Sequence, residues 1–158
     1  MQGDYIQARK KAQDALNVLR TSESGMTFRG PTALGIYAIA VDDPKVRNEI
    51  LQEAEKMLEG KCLAGNRLDF HEHAMQACLQ ACEWDEVDRH AQALEEYTAS
   101  EQIPRCKLFI DRGRALAAFG RGDHSSEVIK KLRKVHQEIS RAELKFALPE
   151  IEAALRTE

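Results

Sequence analysis

Four side chains able to bind metal or act as nucleophiles fall on one helical face: His71, Met75, Cys78 and Cys82, at steps of four, three and four. A histidine with two cysteines suggests zinc, which takes three or four such ligands in a tetrahedron. The spacing argues against it. His71 and Cys82 are eleven residues apart, roughly 16 Å along a helix, so one ion does not reach both. Cys78 and Cys82 are close enough to share an ion, but further ligands would have to come from elsewhere, such as Cys106 or His90. The simpler reading makes Cys78 and Cys82 small buried apolar residues at a tight helix crossing. A nucleophilic cysteine would need a neighbouring base and a depressed pKa. His71, His73 and His90 are the available bases, and no spacing sets one beside a cysteine. No metal, cofactor or catalytic residue is therefore assigned.

A second constellation is a surface. Asp69, His73, Gln76 and Gln80 form a polar row on one helix. Thirty-eight residues later, Lys107, Asp111 and Arg114 form a matching row on another. Such rows are either ordinary solvated faces or the lining of a groove for a peptide or partner domain. If His73 came to lie beside Asp111, the pair would respond to pH near neutrality.

The elements that carry these rows read as helices throughout. Ala8, Ala12, Ala15 and Leu19 mark the first stripe, with Asp4 suited to its amino terminus. Thr21 to Gly25 is a polar break. Gly30-Pro31-Thr32 restarts a helix, and Ala33 to Val41 is apolar on all sides except at Gly35, which predicts burial. Asp43 caps the next helix with Pro44 at its first position, and its stripe is Val46, Ile50, Ala54 and Met57 or Leu58. After a loop from Lys61 to Gly65, a long helix runs to about Cys82. A tight turn at Glu83-Trp84-Asp85 leads to a helix carrying Val87, Ala91 and Leu94. Another begins at Ile103-Pro104 and ends at Gly120. Its Gly113 and Gly120 are expected to be points of close approach to a neighbouring helix. Gly122-Asp123 turns the chain into the stripe Val128, Leu132, Val135 and Ile139. A last segment contains Leu144, Leu148, Ile151 and Leu155, with a break expected at Pro149.

Composition agrees with this reading. Hydrophobic residues make up 43% of the 158 and charged residues 31%, as in a folded soluble chain, and a low aromatic share of 6% suits close-packed helices. The net charge of −3 gives no electrostatic footprint for nucleic acid or an anionic membrane. The one basic run, Lys130 to Lys134, has acidic neighbours at Glu127 and Glu138 and reads as a solvated helix face. The amino terminus lacks the apolar segment of a secretory signal. The longest apolar run, residues 33–41, is far short of the ~20 residues of a membrane span. Cys62, Cys78, Cys82 and Cys106 show no secreted-framework spacing, so a reducing cytoplasm is expected.

The pattern repeats. Gly3-x-Tyr5-x-x-Ala8-x-x-x-Ala12-x-x-Ala15 has a counterpart in Cys82-x-Trp84-x-x-Val87-x-x-x-Ala91-x-x-Leu94. Pro44, Trp84 and His124 begin equivalent second helices at a period of 40, and the first helices repeat at 38. This resembles the tetratricopeptide repeat with longer loops. The expectation is one all-α domain over residues 1–158, a right-handed superhelix of stacked helical hairpins with about seven helices. Gly3 to Ala15 reads as the second half of a hairpin whose first helix is missing, so the chain is expected to be a carboxy-terminal piece of a longer protein. An end truncated in this way would expose an apolar helix face and invite homodimerisation.

A closer resemblance rests on Gly35-Ile-Tyr-Ala-Ile-Ala-Val-Asp-Asp-Pro44, Asn66-Arg-Leu-x-Phe70, Trp84-Asp-Glu-Val87 and Gly113-Arg-Ala-Leu-Ala-Ala118. These look like the carboxy-terminal helical region of bacterial signalling proteins that join an adenylate/guanylate cyclase to an AAA-type or STAND-type ATPase. The resemblance implies a regulatory, protein-binding tail. Neither enzymatic activity carries over, because the chain has no phosphate-loop motif and no paired aspartates on strands. Two other classes stay open: the effector-sensing arm of a STAND-type transcriptional regulator or a free-standing adaptor, and a helical metalloenzyme.

Overall fold

Every element of the computed structural model is helical among the described residues, which are 2–60 and 62–157, with side chains from residue 6 onward. Asp4, Tyr5 and Lys61 of the readings above thus fall, wholly or in their side chains, outside what is described. The chain is all-α and built of helical hairpins: α1 (Gln2–Thr21), α2 (Gly25–Ile39), α3 (Pro44–Glu59), α4 (Ala64–Gln80), α5 (Trp84–Tyr97), α6 (Pro104–Gly120), α7 (Ser126–Arg141), a 3-10 turn (Lys145–Ala147) and α8 (Pro149–Arg156). That is eight α-helices against the seven expected. The last follows the expected break at Pro149, which occupies the first helical position of α8, where its missing N–H costs nothing. The chain divides into two compact units, Met1–Ala81 and Cys82–Glu158.

In the first unit α2 is the central helix, packed against α1, α3 and α4. This placement explains its apolar sequence, but it is not covered on all sides: Ile36 is 44% exposed. Its start also differs from expectation. The helix begins at Gly25, and Pro31 lies in its interior. Proline has no N–H for the carbonyl four residues back, and its ring crowds that carbonyl. The neighbouring helix meets the disturbance. Asn66 of α4, buried, donates from Nδ2 to the Phe28 carbonyl at 2.8 Å and accepts from the Thr32 hydroxyl at 2.9 Å. A tertiary hydrogen bond at the disturbed turn accompanies a helix that local sequence would have started later.

The α1 stripe is also phased differently. Leu16 is buried and Ala12 and Leu19 are half-buried, while Ala8 and Ala15 are exposed. Within its unit α1 packs chiefly against α2 and reaches α3 through the Arg20–Glu53 ion pair at 3.1 Å, so its main neighbour sets which edge is covered. α3 follows the sequence closely. The Asp43 carboxylate accepts from the Lys45 and Val46 amides at 2.8 and 3.3 Å, and Ile50, Ala54 and Leu58 are buried.

In the second unit α6 packs against α5, α7 and α8. A methyl at Gly120 would stand 2.5 Å from the indole of Trp84. The expected close approach is therefore met here, helix against aromatic ring. The turn before α5 is at Ala81-Cys82-Glu83, one residue or more ahead of the expected one, and Cys82 adopts a left-handed φ of 58°. Gly122, forty residues on, is also left-handed at 91° and ends α6 in the same way. α7 begins at Ser126 rather than His124, because Ser125 is its cap: the hydroxyl accepts from the Val128 amide at 3.4 Å. His124 instead stacks on Phe119 with ring centroids 4.3 Å apart. The α7 stripe Val128, Leu132, Val135 and Ile139 is buried as expected.

Candidate functional site

Two registers link α4 and α6. Their ends repeat at 40 residues, yet their buried faces repeat at 38. Phe70, His71, Glu72, Ala74, Met75, Ala77, Cys78 and Leu79 are all buried, and each position 38 residues later is buried as well. In residues 70–79 only His73 and Gln76 escape burial; in 108–117 only Asp111 and Arg114 do. A helix covered on most of its circumference has one narrow stripe left, and both polar rows occupy that stripe. Asp69 is half-buried and Lys107 exposed at the start of each row.

The first row is tied to its own unit. The Asp69 carboxylate lies 3.7 Å from Arg29. His73 Nδ1 donates to the Asp69 backbone carbonyl, turning the ring back along the helix. A methyl at Gly35 would stand 3.0 Å from His73 Cβ, so α2 and α4 pack there at close range. Gln80 lies apart from this row, in a recess of about 610 Å³ that it shares with Asp42, Pro44 and Arg47. Arg47 is buried and donates to the Val41 carbonyl at 3.3 Å. No periodicity marked it, because its charge made it read as solvent-facing.

The second row lines a cleft of about 420 Å³ between α6 and α7. Lys107, Asp111 and Arg114 form one wall. Lys131, Lys134 and Glu138 form the other, and Ala115, Ala118, Val128 and Val135 give it an apolar lining. The three carboxy-unit residues singled out from sequence are thus together in one concavity. The second wall comes from the basic run, whose acidic neighbours pair with it: Lys131 with Glu127 at 2.9 Å and Lys134 with Glu138 at 3.8 Å. On the first wall Lys107 binds Asp111 at 2.9 Å, and that hydrogen bond, aided by the Asp111 charge, raises the Lys107 pKa. Arg114 forks onto Glu95 at 2.8 and 3.1 Å and reaches Gln92 at 3.0 Å. The Arg114 hydrogen bond holds the Glu95 carboxyl below its ordinary value, and Glu95 in turn raises Arg114. The arrangement suits binding of charged and apolar groups side by side.

The zinc reading fares differently. His71, Met75 and Cys78 are buried, with His71 edge-on to Phe70 at 5.1 Å, whereas Cys82 is exposed in the left-handed turn. Cys82 is thus not the buried crossing residue expected, because α4 ends before it. His90 is fully buried and accepts at Nε2 from Arg89 at 3.2 Å. Among the described residues no group of three or more His, Cys, Asp and Glu side chains could hold a metal. Nor is any described helix long and apolar enough to cross a membrane.

Compared with known proteins, the chain matches no family model, no curated protein and no solved structure.

Proposed function

We propose that this chain is a non-catalytic protein-interaction module that uses the α6–α7 cleft to hold a peptide segment of a partner, as a cytoplasmic regulatory part of a bacterial signalling protein. The observation that carries the proposal is the cleft itself: an apolar lining bounded on both sides by charged side chains that are half-buried or exposed. Helical-repeat scaffolds bind extended or helical segments in such concavities. The resemblance to cyclase/ATPase tails supports the same class. Its marker residues Gly35, Asn66 and Trp84 have packing roles, so it speaks for the scaffold and leaves the partner open.

The test is selection of peptides from a random display library on the purified chain, followed by titration against wild type and Ala118→Gln. The substitution fills the cleft while keeping a good helix former on a half-buried position. Selected peptides should bind wild type and lose at least roughly tenfold in affinity, about 1.4 kcal/mol, with the variant. Peptides that bind both equally would refute the use of this cleft.

A second reading is favoured by α1, where Ile6 and Val18 are exposed at 71% and 68%. Such a helix suits self-association. Sedimentation equilibrium should then show a dimer that Val18→Glu dissociates; a monomer at all concentrations excludes it.

A further inference from the structure

Resting on the cleft reading above, we infer that the partner segment is acidic, with an apolar anchor flanked by Asp or Glu. Of the ionisable side chains lining the cleft, four are cationic (Lys107, Arg114, Lys131, Lys134) and two are anionic (Asp111, Glu138). The chain as a whole carries −3, so the cleft runs against the global sign. Three of the cations are balanced by replaceable carboxylates, while the fourth, Lys107, keeps its 2.9 Å bond to Asp111 within the cleft. Glu127 and Glu95, which hold Lys131 and Arg114, are 76% and 53% exposed. Lys134 stands 3.8 Å from Glu138, outside hydrogen-bond range. Exposed pairs of this kind are weak, because water screens them and long side chains lose freedom in making them. A segment whose apolar residue enters the Ala115–Ala118–Val128–Val135 lining excludes that water. Its carboxylates then meet the same cations at lower effective dielectric, where attraction is stronger. A basic segment would bring like charge to the four cations and find the neighbouring carboxylates already committed to ion pairs, which selects against it.

The composition of the selected peptides is the readout. Those sensitive to Ala118→Gln should be enriched in Asp and Glu on either side of an apolar residue, and their affinity should fall as salt rises. The double variant K131E/K134E reverses two exposed charges on one wall and should weaken acidic peptides by roughly tenfold or more. The same library selected on the double variant should return basic flanks instead. Cleft-dependent peptides that are neutral or basic on wild type would overturn the acidic assignment and leave the cleft reading standing. Peptides indifferent to Ala118→Gln would overturn both. Far-UV circular dichroism on each variant confirms that helix content is retained.

Discussion

Arg112 and Glu150 form an ion pair at 2.7 Å in which the arginine side chain is only 2% exposed. The guanidinium also donates from Nε to the Ala147 carbonyl at 2.9 Å. One side chain of α6 thereby holds both the 3-10 turn and α8. Phe109 stacks on Phe146 beside it at 6.0 Å. Burial lowers the Arg112 pKa and the Glu150 charge opposes that shift.

Removing this arginine should be costly. Arg112→Ala removes the donor to the Ala147 carbonyl and the ion pair to Glu150, and opens a cavity in the second unit. A loss of about 2–4 kcal/mol is expected, towards the lower end of values for broken buried pairs because Glu150 is one-third exposed. Glu150→Gln keeps a hydrogen-bond acceptor and should cost about 1 kcal/mol. Urea titrations of the two variants distinguish these cases. Equal losses would mean that charge, not hydrogen bonding, ties down α8.

Gly120→Ala tests the contact with Trp84. Helix propensity alone would favour alanine by about 1 kcal/mol. Yet the new methyl would stand 2.5–2.8 Å from three indole carbons, and a rigid ring must move. Net destabilisation of about 1–2 kcal/mol is expected. Trp84 is the sole tryptophan, so its emission should shift to the red as the ring is displaced. Unchanged emission and increased stability would contradict this packing.

Asn66→Leu should destabilise the first unit by about 1–3 kcal/mol, since the Phe28 carbonyl and the Thr32 hydroxyl both lose their partner. Thr32→Val alone should cost less. A double-mutant cycle should give a coupling of at least about 0.5 kcal/mol between the two positions. Additive losses would mean that the Asn66–Thr32 bond contributes nothing.

The Arg114–Glu95 fork should appear in the pH dependence of stability. Glu95 has its carboxyl pKa lowered, chiefly by the Arg114 hydrogen bond. A depressed carboxyl stabilises the fold above the ordinary carboxylate range, and this is lost as pH falls through the lower folded value. Glu95→Gln should therefore flatten the acid limb between about pH 5 and pH 3, by less than about 1 kcal/mol because the pair is largely solvated. Lys107 behaves oppositely: its raised pKa gives stability that is complete below the ordinary lysine range and lost as pH rises through the folded value. Thermal melts across pH on wild type and Glu95→Gln check the sign.

What was legible in sequence was local. The Asp43 cap with Pro44, the α7 stripe, the Pro104 start and Gly120 end of α6, and the break at Pro149 all follow from backbone donors and helical periodicity within a few residues. The 38-residue register of the two polar rows was legible too, because buried positions on two similar helices must repeat with the packing. The alignment of Lys107, Asp111 and Arg114 in one row was legible as well, whereas its place as a wall opposite Lys131 and Lys134 depends on how α7 lies along α6.

Tertiary structure decided the rest. Pro31 lies inside α2, where a side chain 35 residues away, Asn66, bonds beside it. α1 presents Leu16 rather than Ala8 and Ala15, since its main neighbour, α2, sets the buried edge. Arg112 and Arg47 are buried where their charge predicts exposure, because a distant carbonyl and carboxylate meet the first and a folded-back backbone carbonyl meets the second. Local rules count the groups within a turn of helix. Burial of a charge or a helix-interior proline depends on which partners the fold brings from elsewhere in the chain.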